Sequence, residues 1–216
     1  MILPRHKGPV AEWMFEDGIV AELTWASLER SLKSCETVAS ILSNQRLFLP
    51  HQVCLSQWMR AGERKVADSE RVEKSDVVVV VDGPRPFAKV VGACQSIIES
   101  ESVYPLRIEA LGSGVIVTDQ GDSVVDDLIT LLATTLDIFN ISVSTQSDVW
   151  LPFSLSGESQ PDIHRLNAER LEHALQEIQR RTGFKLQEGL ETPYAVITEF
   201  RLENRRYADG SLEVVD

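Results

Sequence analysis

The sequence has little of what most enzyme and export signatures are built from. Three cysteines occur in 216 residues, Cys35, Cys54 and Cys94, with no CxxC pair among them. A disulfide framework or a thiolate zinc site needs more sulfur than this. Three reduced, mostly buried thiols of a cytosolic protein are therefore expected. The four histidines, His6, His51, His164 and His173, form no HExxH and no i,i+4 pair, so no metal site is expected. GxGxxG, GxxxxGK[ST] and GxSxG are absent, and no cofactor is implied. No apolar run reaches the length of a membrane span. The opening "MILPRHKGPVAEW" has basic residues without an apolar region behind them, which is not the pattern of a secretory signal. A cytoplasmic chain that does not enter a membrane is expected.

Positive charge is scarce in one half of the chain. The net charge is −12. Residues 1–75 balance ten Lys/Arg against ten Asp/Glu, so residues 76–216, with eleven bases and twenty-three acids, carry all of it. Residues 99–164 hold eleven acids and one base, Arg107. Such a field repels a phosphate backbone and attracts a basic protein. A nucleic-acid partner is not expected.

The apolar pattern predicts an α+β fold in one domain, residues 1–216. Its sheet is expected to be mixed or largely antiparallel, with several hairpins, layered with four to five helices. The charge-dense stretch 63–76 is the one linker-like segment. Asp17-Gly18 marks a hairpin within "EWMFEDGIVAEL". Thr24 caps a helix whose stripe is Leu28, Leu32, Cys35, Val38, Ala39 and Leu42. Pro50 to Gly62 suggests a short second helix. Val77–Val81 is a buried strand, and the segment after it is a helix through Ile98. Gly112-Ser113-Gly114 suggests a hairpin turn. A largely buried helix is expected to start at Asp122 or Ser123 and carry Val124 to Phe139. Pro161 opens a further helix that Gly183 ends, with Glu177 and Arg181 paired along it. A last hairpin is expected to turn at Asp209-Gly210.

Three places offer chemistry. "SDVVVVVDGPRPFAK" suggests a strand, loop and helix, but Pro84 and Pro86 remove two of the N–H donors that a phosphate cradle needs. Asp82 and Arg85 remain there as a candidate site for a small anionic ligand. The acids Glu99, Glu101, Asp119, Asp122, Asp126 and Asp127 are candidates for steering and pairing a basic partner. Trp150 and Phe153, in the polar loop "SDVWLPFSLSGESQP", are candidate contact anchors.

The segment "DVWLPFSLSGESQPDIHRLNAERLEHAL", Asp148 to Leu175, resembles bacterial polymorphic-toxin immunity proteins. The resemblance implies an acidic cytosolic protein that binds and neutralises a toxin domain. It implies no catalytic residue. The sequence thus leads first to a non-enzymatic module that binds a basic protein. Alternatives are an enzyme or binding protein for a small anion at Asp82–Arg85, and a subunit or scaffold of a larger assembly.

Overall fold

The structure, a computed structural model, describes residues 7–20, 22–60, 71–81, 86–135, 138–187 and 192–214. These form β1 (Ala11–Val20), α1 (Trp25–Asn44), β2 (Leu49–Arg60), β3 (Arg71–Val72), β4 (Val77–Val80), α2 (Pro86–Glu101), β5 (Val103–Thr118), β6 (Gly121–Thr134), β7 (Ile138–Thr145), α3 (Pro161–Thr182), β8 (Lys185–Leu186), β9 (Ala195–Thr198) and β10 (Arg201–Asn204). The fold is sheet-rich α+β. One antiparallel sheet has the order β3-β2-β5-β6-β7-β1-β8, and β4 shares the outer edge of β2 with β3. β9 and β10 pair separately.

Three helices are described where four to five were expected, and two expected helices are strands. Pro50 to Gly62 falls largely in β2, where Val53 and Leu55 are buried at a step of two. The run from Val124 to Phe139 is split between β6 and β7. β6 is central, between β5 and β7, and Leu128, Ile129, Thr130 and Leu131 are all buried in sequence. A run of consecutive buried residues shows no clean period, so apolar spacing alone does not separate helix from strand. Its β-branched residues, Val124, Val125, Ile129, Thr130 and Thr134, favour the strand.

Three expected turns also differ. Asp17-Gly18 is a bulge inside β1, between the pairs Glu16↔Asn140 and Val20↔Ile138. Gly112 and Gly114 lie within the continuous strand β5. A Cβ at either would collide with the backbone carbonyl oxygen of Leu49 or Leu47, so both glycines let the α1–β2 connection pass close. The C-terminal hairpin turns at Glu199-Phe200; Asp209-Gly210 makes a smaller turn closed by the Arg206↔Leu212 bridge.

The helix ends follow their local chemistry. The Thr24 hydroxyl accepts from the Ser27 N–H at 3.2 Å and caps α1. Pro161 opens α3, and Gly183 ends it at φ 72° with its N–H on the Gln179 carbonyl. Glu177 pairs with Arg180 rather than Arg181, through two bonds of 2.7 and 2.6 Å.

Strand register sorts the side chains into two faces. One face has Val53, Ile108, Ala110, Ile129, Leu131, Ala133, Ile141, Val143, Phe15 and Trp13, which join the apolar stripes of all three helices in one core. The opposite face includes Met14, Leu111, Leu132, Val78 and Val80, none of which belongs to that core. The five-valine run, expected to be buried, is therefore half outside. Val77 and Val79 pack inward, while Val78 and Val80 are 53% and 67% exposed on an edge strand.

Candidate protein-docking site

The residues expected to meet a partner do not form one cluster. Glu99 and Glu101 are exposed at the C-terminal end of α2, just before β5 begins. Asp119, Asp122, Asp126 and Asp127 belong to the far end of β5 and the start of β6. The sixteen residues of β5 separate the two groups, about 50 Å at 3.3 Å per residue. Lys74 engages Glu101 at 2.6 Å.

The four aspartates share the β5–β6 hairpin. Asp119, Asp122 and Asp126 are exposed, and Val124 between them is 74% exposed. Arg46 donates to Asp122 at 2.7 Å, and the Ser113 hydroxyl donates to Asp126 at 2.7 Å. Asp127 sits at φ 56°, where β6 carries two more residues than β5 between the pairs Leu111↔Thr130 and Ser113↔Asp126.

Trp150 does not serve as an exposed anchor. It is 1% exposed, and its Nε1 donates to the Thr145 hydroxyl at 2.9 Å. Its loop is organised around buried polar groups. Asp148, fully buried, accepts from the Leu155 N–H at 2.9 Å. Gln160 donates to the carbonyls of Asp148 and Leu151. Phe153 is half-buried, and its backbone is clasped by the Asn204 amide, which accepts from its N–H and donates to its carbonyl. The loop thus covers a core edge. The sequence signal that would have shown this is Thr145, a hydroxyl within reach of an indole N–H that needs a partner when buried.

Neither Asp82 nor Arg85 is among the described residues. The three thiols show no activation. Burial pushes Cys35 and Cys94 up to about 12. Burial also raises Cys54, with Asp76 and Glu109 adding to the effect and Arg107 opposing it. A nucleophilic thiol needs the opposite environment. On strand β2 the three-residue step from His51 to Cys54 spans about 10 Å and keeps the two side chains apart. Among the described residues no group of three His, Cys, Asp or Glu is placed to hold a metal ion, and no helix is long and apolar enough to cross a membrane.

No family model, no curated protein and no solved structure matches the chain.

Two features missed by the sequence reading define the surface instead. The first is the side of the sheet that none of the described helices covers. Register places Val80, Gln52, Leu111, Thr130, Ser144 and Glu12 in one row across six strands. The next row is Val78, Cys54, Glu109, Leu132, Ser142 and Met14, and a third holds Ser56, Arg107, Thr134, Asn140, Glu16 and Lys185. Their charges are three acids and two bases; Arg107 lies 3.6 Å from Glu109, and Lys185 stands directly across from Glu16. Asp126 adds a fourth acid beyond Leu111, beside Ser113.

The second feature is the closure of β5 past the end of β2. Asn167, fully buried on α3, accepts from the Val117 N–H at 3.0 Å and donates to its carbonyl at 2.8 Å. Arg170 donates to Val115, Asn167 and Gln45 at 3.0, 2.8 and 2.6 Å. Burial lowers its pKa, the nearby Arg46 adds to this, and Asp122 opposes it. These two side chains occupy β5's free edge and hold the root of the acidic hairpin. A groove of about 480 Å³ runs between α1 and α3, bordered by His173, Gln176, Glu177, Arg180 and Arg181. Glu177 already occupies Arg180 there.

Proposed function

We propose that the chain is a non-enzymatic acidic protein-binding module of the immunity or antitoxin type, which captures and inhibits a basic toxin domain. The observation that carries this reading is the β5–β6 hairpin. It offers exposed Asp119, Asp122 and Asp126 around the exposed Val124, and it stands next to a sheet face whose charges are mainly acidic. Exposed acids on a hairpin raise the local concentration of a cationic partner and speed encounter. An apolar residue among them supplies contact area once water is excluded. The rigid root made by Asn167 and Arg170 lowers the ordering cost of binding. The net charge of −12 supports a basic protein partner.

The test is affinity capture from the native cell followed by mass spectrometry, with the captured protein then purified. A partner of basic isoelectric point is expected, with an association rate that falls at least tenfold between low and high salt. A neutral or acidic partner, or a salt-independent rate, contradicts the reading. Light scattering on the purified chain tests the assembly-subunit alternative, which requires self-association.

A further inference from the structure

We infer that the sheet face that none of the described helices covers is the seat of an amphipathic, cationic helix contributed by the partner. This rests on the acidic-module reading and names the shape that its ligand presents. Leu111 and Leu132 lie on the face outside the core, and Val78 and Val80 continue it to the edge, 53% and 67% exposed. Six of the eighteen positions in the three rows are apolar, Val78, Val80, Cys54, Leu111, Leu132 and Met14, and apolar groups gathered on a surface mark a binding site.

Geometry selects a helix. The backbone N–H and C=O groups of a sheet point along its plane and are used by the ladder, so its face offers them to no ligand. A segment lying there must satisfy its own backbone, which a helix does and an extended strand does not. The rows cross six strands, about 24 Å at 4.8 Å per strand. A helix of about 16 residues spans that length. Three rows are about 14 Å deep, matching one helix of about 10–12 Å diameter.

Charge selects its sign. Glu12 and Glu16 stand toward one end of the rows, Glu109 at the centre and Asp126 beside them, four acids against the two bases Arg107 and Lys185. Lysines flanking an apolar stripe meet these carboxylates. A second copy of this chain is disfavoured because each carries −12. The face is also smaller than the ~800 Å² per partner of a standard interface between globular surfaces.

The experiment uses a designed 16-residue helical peptide with leucines on one side and lysines on the other, and a control with glutamate in place of lysine. Fluorescence anisotropy reads affinity. Maleimide labelling of Cys54 reads location, since Cys54 lies on the face while Cys35 and Cys94 are buried. The lysine peptide is expected to bind and to slow labelling of Cys54 at least tenfold. Leu132→Lys is expected to weaken binding at least tenfold, and Val80→Lys, at an exposed site, gives the same readout if the first variant folds poorly. Binding that leaves Cys54 labelling unchanged and tolerates both variants overturns the face as the seat, while the acidic-module reading stands. No binding by the lysine peptide at low salt overturns the face as the seat, and equal binding by the control overturns the acidic-module reading as well.

Discussion

Asn167 lays its side-chain amide along the backbone of Val117, accepting from the N–H and donating to the carbonyl. One side chain thus does what a neighbouring strand would do, and it covers the edge of β5 where β2 has ended. The acidic hairpin begins there, so its orientation depends on a residue that looks unremarkable in the sequence. Replacing Asn167 by Leu leaves both Val117 groups buried without partners. A loss of about 2–4 kcal/mol is expected, at roughly 1–2 for each buried group. Urea denaturation monitored by circular dichroism measures it, and an unchanged midpoint contradicts the assignment.

Gly114 and Gly92 should respond in opposite directions. A side chain at Gly114 meets the Leu47 carbonyl and the Leu128 methyl. Gly114→Val is expected to lose about 3 kcal/mol or to prevent folding. Gly92 lies in α2 with open space around it, so Gly92→Ala is expected to gain about 0.5–1 kcal/mol. Thermal melts of the two variants check the pair.

The thiols set an alkaline limit. Cys35 and Cys94 are held near 12 in the folded chain against an ordinary value near 9. A raised folded-state value means that the unfolded chain ionises first. Stability from this source is full below pH 9 and is lost as pH rises from about 9 to 12. Chemical denaturation midpoints should fall across that window. Replacing both cysteines by Ala should flatten the fall, although it lowers stability at neutral pH.

How much could be read from the sequence depended on whether a segment's burial is one-sided. α1 and α3 each bury one stripe and carry their own stop signals, Thr24 for one and Pro161 with Gly183 for the other, so both were legible. Leu128 to Leu131 of β6 are buried without a break, so its apolar spacing held no period and it looked like a buried helix. Gly112 and Gly114 looked like a turn because their role, a close pass by the α1–β2 connection, is a tertiary fact. The acids were legible as a charge excess, but β5 divides Glu101 from Asp119. Trp150 looked exposed because its neighbours are polar, and those same neighbours, Asp148 and Ser147, are buried with it. The open sheet face was invisible for a related reason. It exists only where strands distant in sequence align Leu111, Leu132 and Met14.

Neutralising the hairpin should separate steering from fit. Asp119→Asn with Asp122→Asn leaves the core untouched, since both side chains are exposed. Stability is expected to change by less than about 0.5 kcal/mol. The association rate with the lysine peptide should fall several-fold at low salt while the dissociation rate stays nearly constant. Stopped-flow fluorescence gives both rates; a change confined to dissociation contradicts steering.

The most direct test of a charge-steered capture surface is the association rate of the lysine peptide with the unaltered chain as ionic strength rises from 20 to 500 mM. Screening shortens the reach of the acids from about 20 Å to about 4 Å over that range. The account predicts at least a tenfold fall in rate, with Cys54 protected in the complex at low salt. A rate that stays level across the series, or a complex that leaves Cys54 as reactive as in the free chain, would contradict it.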